Sequence, residues 1–192
     1  YRPRPPRAIH VVCGRKRQMC IRDRPSGPPI WIGGDVISAV KRAAKLGCPW
    51  IIPPTMAFND IAIRIDAYQQ TIKTLGNEKV KGQPLIRELA IGRTKQEAFE
   101  VARKPLLAKY ESYATWGQTD TKKERTLSDT FEEFCRDRFI IGDEQEVVDE
   151  ILKYKESFGV DDLLVRVQWP GLGQGEVLKT LDHLAKIIAT VS

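Results

Sequence analysis

Pro28-Pro-Ile-Trp-Ile-Gly-Gly-Asp-Val-Ile-Ser-Ala-Val-Lys-Arg-Ala-Ala-Lys-Leu-Gly47 decides how the rest of the chain is read. It is a short apolar strand, a glycine pair and an amphipathic helix closed by a glycine. A helix that starts straight after a glycine turn offers unpaired N–H groups and the positive end of its dipole to an anion. Gly33 and Gly34 leave room for the backbone to approach a ligand. An ordinary strand-to-helix turn has the same look, so the stretch by itself leaves both readings open.

The same alternation recurs downstream. Trp50–Ile52 reads as a second strand, stopped by Pro53 and Pro54. Asn59 or Asp60 is expected to cap the next helix, whose apolar face is Ile61, Ile65, Tyr68, Ile72 and Leu75, before Gly76 and Asn77 end it. Leu85–Ile91 is a third strand. Thr94-Lys-Gln-Glu97 is a capping box for a helix that Pro105 is expected to kink or interrupt. Gly117–Ser128 reads as a polar loop, and Phe131–Arg138 as a short helix. Asp143-Glu-Gln-Glu146 opens a helix burying Val147, Val148, Ile151, Leu152 and Phe158. Leu163–Val167 is apolar on successive residues, as in a strand covered on both faces. The last helix carries Val177, Leu178, Leu181, Leu184, Ile187 and Ile188. Four βα units in a row imply an α/β fold with a parallel sheet, either a small open domain or half of an eight-stranded barrel. The short strands, and the polar residues Asp35, Gln168 and Trp169 at their C-terminal ends, favour the half-barrel.

The net charge of +6 is unevenly placed. Eight of the 31 basic residues and one of the 25 acidic ones lie in residues 1–24, so that segment carries +7 and the remaining 168 residues carry −1. A basic tail can serve nucleic acid or a membrane surface. Met19-Cys-Ile-Arg-Asp-Arg24, however, looks like the translated end of a sequencing-library adapter. Residues 1–24 are therefore read as a non-native tail, and residues 25–192 as the folded unit, with no nucleic-acid or membrane partner expected. No apolar run approaches 18 residues, and the N-terminus lacks a signal-like stretch, so a cytoplasmic location is expected. Cys13, Cys20, Cys48 and Cys135 have neither redox nor metal-finger spacing, and His10 and His183 are the only histidines, so no metal site is expected.

Four segments together resemble the C-terminal half of the luciferase-like flavin monooxygenase family. They are Pro28–Gly34 with Arg42–Gly47, Lys109–Gln118, Asp137–Asp143 and Val165–Gly171. The resemblance implies the last four units of a (β/α)8 barrel. It implies reduced FMN, or in some branches a deazaflavin coenzyme, used with dioxygen on a small organic substrate such as an aldehyde, alkane or sulfonate. It also implies an NAD(P)H-dependent flavin reductase as a partner, and a homodimer for the full-length protein. Flavin phosphate would sit at Gly34, Asp35, Val36, Ser38 and Ala39, after the Gly33 turn. The Val36 N–H and the Ser38 hydroxyl are its expected contacts, and Asp35 is an expected helix cap. Where many members have a hydroxyl residue, this chain has Val36 and Ala39. Where many have Gly-Asp-Gly-Trp or Gly-Asp-Ala-Trp, it has Gly47-Cys48-Pro49-Trp50. No catalytic acid or base is assigned, because the family's groups near the reacting flavin come largely from the other half. A deazaflavin-dependent hydride transfer, a flavin binder without turnover and an inactive fragment remain alternatives.

Arg166 lies in the most apolar strand and needs a partner there. It either pairs with a carboxylate such as Glu88 or faces the flavin ring or an anionic substrate. Arg87 and Glu88 point to opposite faces of their strand. Gln168 and Trp169 are candidates for the substrate pocket, against a plain loop anchor. Tyr113 and Trp116 are read as core packing rather than a lid.

Overall fold

A computed structural model describes residues 29–76, 82–115 and 131–191. The tail assigned to residues 1–24, Asn77, Trp116 and the loop 117–128 lie outside the described residues. The chain divides into two units, Tyr1–Ile30 and Trp31–Ser192, and every element below belongs to the second.

Along the chain these are β1 (Ile32–Gly33), α1 (Ile37–Lys45), β2 (Trp50–Ile51), α2 (Phe58–Thr74), β3 (Leu85–Ile91), α3 (Lys95–Thr115), α4 (Phe131–Cys135), β4 (Ile140–Gly142), α5 (Glu144–Phe158), β5 (Leu163–Arg166) and α6 (Gln174–Val191). All pairing is parallel. β1 pairs with β2, and β3 sits between β4 and β5. A single bridge, Ile52 to Leu85, joins the two sheets. Backbone bonds show which edge of β3 each neighbour uses. Pro84 O and Ile86 N bond to Ile52 at 2.8 and 3.0 Å, and Gly92 N bonds to Gly142 O at 3.1 Å, whereas Leu85 N bonds to Asp162 O at 2.9 Å. Alternate residues of a strand bond to alternate edges. β2 and β4 therefore share one edge of β3, and β5 takes the other. The run β1-β2-β3-β5 follows chain order, with β4 laid on where β2 stops.

The faces differ as well. Leu85, Leu89 and Ile91 pack with Ile61, Ile65, Tyr68 and Ile72 of α2, Val147, Tyr154 and Phe158 of α5, and Ile187 of α6. The opposite face of β3 presents Ile86, Glu88 and Ala90. Ala90 joins a second cluster with Ala98, Ala102, Leu106 and Tyr110, which recur every fourth residue of α3, and with Trp169.

Several expectations are corrected. Ala57, not Asn59 or Asp60, precedes α2, and no side chain caps it. Asp60 instead sits in the first turn, where its charge suits the dipole. Val36, not Asp35, is the residue before α1, again without a side-chain cap. α3 runs through Pro105 without interruption. The Thr94 box is one-sided: Thr94 Oγ1 accepts from Glu97 N, but the Glu97 carboxylate turns to Arg93 N and Nε. The Asp143 box forms in both directions. β5 is only half-buried along its length rather than covered on both faces. Leu75, Leu178, Leu181 and Ile188 are exposed. β4 was not anticipated, because a three-residue apolar run shows no period.

Arg87 is fully buried and among the described residues has no carboxylate within ion-pair distance. Its Nη1 donates to Pro53 O and Pro54 O, its Nη2 to Met56 O, and its Nε to Tyr154 Oη, whose ring lies 4.8 Å under the guanidinium. Burial pulls the guanidinium below its ordinary pKa. Arg138 Nε takes Thr55 O. Two arginines thus bond the four carbonyls of Pro53–Met56 in the loop after β2. Arg87→Met leaves Pro54 O and Met56 O without a donor and Pro53 O with only its 3.4 Å bond from Met56 N, and should lower unfolding free energy by about 3 kcal/mol, whereas Asp143→Ala should lower it by about 1 kcal/mol. Urea midpoints compare the two, and equal losses would contradict this assignment.

Candidate functional site

In a parallel sheet all strands end on one side, where ligands are bound. The residues singled out from sequence gather there in two groups.

The first is the start of α1. Gly34 has φ +142°, and a Cβ at this position would lie 2.5 Å from the Ala39 Cβ, so only glycine lets the turn close against the helix. Trp50 Nε1 donates to Gly34 O at 2.7 Å, and Arg64 Nε donates to Asp35 O at 2.5 Å. Val36 is extended (φ −86°, ψ 145°), and its carbonyl accepts from Ala39 N and Val40 N. The N–H groups of Ile37 and Ser38 have no acceptor among the described residues. Val36 is 56% and Ile37 42% exposed, and Gly33, Asp35 and Ser38 are exposed too. Among the described residues nothing plugs the end of the helix. Ala39 is buried and offers no group to a ligand. The groups at the opening are backbone N–H groups and the Ser38 hydroxyl, with the Arg64 guanidinium beside the turn, the donor chemistry that could hold a phosphate. Asp35 neither caps the helix nor helps to hold an anion. Arg64 escaped sequence reading because its i, i+4 spacing from Asp60 suggests only a surface ion pair.

The second group is centred on Glu88, whose side chain is fully buried. Lys109 Nζ donates to its Oε1 at 2.8 Å and Tyr110 Oη at 2.7 Å. Arg166 Nη2 donates to the same oxygen, and Trp169 Nε1 donates to Oε2 at 2.5 Å. The Glu88–Arg166 pairing anticipated from sequence is present, set by their opposition in the β3–β5 register. Trp169 is buried, in the anchoring arrangement, and Gln168 is exposed. Lys109 and Tyr110 were not foreseen as partners of Glu88, since nothing local signals a contact across 21 residues. Burial pulls the Lys109 ammonium below its ordinary pKa, against the pull of Glu88. Burial, then the Glu88 charge, pushes the Tyr110 phenol well above its own. Burial also raises the Cys135 thiol, leaving it unsuited to nucleophilic chemistry.

A recess of about 670 Å³ is lined by Lys95, Phe99, Arg136, Asp137, Glu146 and Lys153 among others, and includes none of these site residues. Among the described residues no cluster of His, Cys, Asp and Glu is arranged to hold a metal, and no helix is long and apolar enough to cross a membrane.

A family model described as luciferase-like monooxygenase matches residues 9–162, beginning inside the basic tail. No curated protein matches the sequence. Monooxygenase RslO1 from Streptomyces bottropensis has a similar fold, with TM-score 0.70 and 14% identity over 87% of this chain and 49% of that one. So does the oxygenating constituent of 3,6-diketocamphane monooxygenase from Pseudomonas putida, a type II Baeyer–Villiger monooxygenase solved in complex with FMN (0.62, 15%, 85% and 49%). The coenzyme F420 dependent tetrahydromethanopterin reductase from Methanopyrus kandleri is similar as well (0.57, 15%, 82% and 49%). The chain spans about half the length of each of these structures.

Glu88→Gln keeps the shape but withdraws the charge from two cations, and should cost about 3–5 kcal/mol in urea unfolding. The phenols of Tyr68, Tyr110 and Tyr154 all have raised pKa values in the folded chain. A raised phenol stabilises the fold fully below its unfolded pKa near 10, and that contribution is lost as pH climbs beyond it. Lys109, lowered, acts in the opposite sense up to about pH 10.5. Stability should therefore fall above about pH 10, and less steeply in Tyr110→Phe. Urea midpoints measured from about pH 8 to about pH 11 test this, and identical slopes would contradict it.

Proposed function

The chain belongs to the luciferase-like monooxygenase family, and from that membership we propose that it serves a flavin-dependent monooxygenase acting on a small organic substrate with reduced FMN and dioxygen. The observation that carries the proposal is the open start of α1, with two unpaired N–H groups behind a turn that only glycine can make. The chain-order run of parallel strands β1-β2-β3-β5 supports reading it as the C-terminal half of a (β/α)8 barrel.

In this reading the N–H groups of Ile37 and Ser38 and the Ser38 hydroxyl hold the flavin phosphate, and the α1 dipole favours its charge. Arg64 keeps the turn in place from its Asp35 carbonyl contact. Arg166, fixed by Glu88, and Gln168 face the substrate side, while Trp169 anchors the loop that carries Gln168. When bound, reduced flavin supplies the electrons that activate dioxygen. Val36 and Ala39 add no hydroxyl, so the phosphate is held mainly by backbone. The reaction also needs a source of reduced flavin, supplied by an NAD(P)H-dependent reductase, and we expect the full-length protein to be a homodimer. The likeness to a coenzyme F420 dependent reductase favours a second reading, hydride transfer with a deazaflavin and no oxygen uptake.

FMN should bind at least about tenfold more tightly than riboflavin, which lacks the phosphate, and Ser38→Ala should weaken FMN about fivefold while leaving riboflavin unchanged. Flavin fluorescence titration measures both. Equal affinity for the two flavins would sink the phosphate site. Oxygen consumption with reduced FMN, against hydride transfer with a reduced deazaflavin, separates the two chemistries.

A further inference from the structure

We infer that a recess between α3 and α6, at the end of β3, binds a small uncharged molecule with two neighbouring hydroxyls, held by the Thr180 hydroxyl and His183 Nε2. The recess includes none of the residues assigned to flavin or to the Glu88 group, so this site stands apart from the flavin reading.

The recess holds about 250 Å³, the share of about eight water molecules at roughly 30 Å³ each. Ala90 and Ile91 form its floor, and Ala98 and Val101 its α3 wall, all apolar. Gly92, where a Cβ would lie 2.7 Å from Ala98 N, lets the end of β3 pack directly on the first turn of α3, so floor and wall are one piece. From α6 come Thr180 and His183, three residues apart and therefore on one face of the helix. Thr180 is 6% exposed. The helical hydroxyls of Thr71 and Thr74 each donate to the carbonyl four residues back. The Thr180 hydroxyl has no hydrogen-bond partner among the described residues, yet it is not sealed in like Gln83 Oε1 and Arg166 Nε. It therefore opens on the recess that Thr180 lines. A valine of the same shape would avoid the cost of a hydroxyl left unpaired, and a ligand bonded to it removes that cost.

The imidazole is held from behind. His183 Nδ1 donates to Glu144 Oε1 at 2.6 Å, across from α6 to α5. A carboxylate only accepts, so this bond assigns the proton to Nδ1 and leaves Nε2 as the free nitrogen. Nε2 has no partner among the described residues and is not sealed in either. In the neutral ring it accepts, so its ligand brings a hydroxyl hydrogen, and the Thr180 hydroxyl exchanges a bond with a second oxygen beside it. The charges at the mouth cancel in pairs: Arg93 Nε lies 3.0 Å from Glu97 Oε2, and Lys179 Nζ 2.8 Å from Glu176 Oε1. Neither an anion nor a cation gains an unmatched counter-charge there. Two neutral polar groups over an apolar floor suit a short carbon chain with adjacent hydroxyls.

Propylene glycol serves as the probe, with propionate and propylammonium as charged counterparts of like size, followed by amide chemical shifts in NMR titrations of the full chain. The glycol should shift the amides of Ala98, Val101, Thr180 and His183 saturably, with a dissociation constant on the order of millimolar, and bind at least about fivefold more tightly than either ion. Thr180→Val should weaken the glycol at least about fivefold without lowering the urea midpoint of the unliganded protein, a split that a purely structural hydroxyl would not produce. Thr180→Ser, which keeps the hydroxyl, should bind within about twofold of the parent. His183→Phe should also weaken the glycol about fivefold, and supplies the same test should Thr180→Val fold poorly. Unchanged glycol affinity in these two variants overturns the inference. So does equal binding of the ions, or shifts that never saturate, which would mean an adventitious additive only. Failure of FMN to bind in a separate titration counts against the flavin reading alone, because the glycol is titrated without flavin.

Discussion

A carboxylate buried in the middle of β3 imposes the geometry of this half of the site. Glu88 has no access to water, and an ionised carboxylate in that position is tolerated only with donors around it. Its four donors come from three separate places: Lys109 and Tyr110 on α3, Arg166 at the end of β5, and Trp169 in the loop beyond. Among themselves these groups meet only loosely, as in the 3.4 Å Arg166–Tyr110 contact and the 5.7 Å from Lys109 Nζ to the Tyr110 ring centroid. Leaving any one out strands a charge or a polar hydrogen in the interior. The register of β5, the placement of α3 and the path of the loop after β5 are thereby tied to one another. The cluster is apolar around its polar centre: Phe131, Phe139 and Leu106 close over it, which lowers the local dielectric and strengthens every contact within it.

The neighbouring residue solves the opposite problem by different chemistry. Arg87 is equally buried on the other face of the strand and among the described residues has no carboxylate within ion-pair distance, because a guanidinium can be satisfied by carbonyls alone. A carboxylate cannot, since it only accepts. Two adjacent charged residues in a central strand therefore produce two unlike structures: a cation-rich cluster facing the site and a carbonyl cage facing the helices. The cage has a use. It holds the Pro53–Met56 loop, which leaves β2 at the end of the sheet where α1 also begins. Two of those four residues are prolines with no N–H to contribute, so outside donors to their carbonyls are what fix the loop.

Local signals were legible in the sequence, and long-range ones were not. The helix periods, β3 to the residue, the reciprocal cap at Asp143 and the glycine turn at Gly34 follow from patterns within a few residues. Pairing Arg166 with Glu88 was also reachable, since a charge in an apolar strand needs an opposite charge in the adjoining one. The identity of the other partners was not. Lys109 and Tyr110 look like any residues of a polar helix until the fold brings them over β3. Arg64 looks like half of an i, i+4 pair. The caps failed for a related reason: Asp35, Asn59 and Asp60 are good cap residues, but Val36 and Ala57 took the cap positions because burial of Ala39, Val40 and Ile61 fixes the phase of each helix. Core packing outweighs a cap worth about 1 kcal/mol.

The same balance explains how a phosphate site of the kind proposed at the start of α1 would tolerate Val36 and Ala39. A site made of side-chain hydroxyls fails when they are replaced. One made of backbone N–H groups depends only on the turn that exposes them, and here that turn is set by the clash a Cβ on Gly34 would have with Ala39. Ala39 thus contributes by being small and buried rather than by bonding to a ligand. Specificity then falls to the other group, where side chains differ in kind. A helix start of this kind is generic to any phosphate-bearing coenzyme, whereas the Glu88 group is built from side chains particular to this chain. The residues around Arg166 are held together through Glu88, which all of them share.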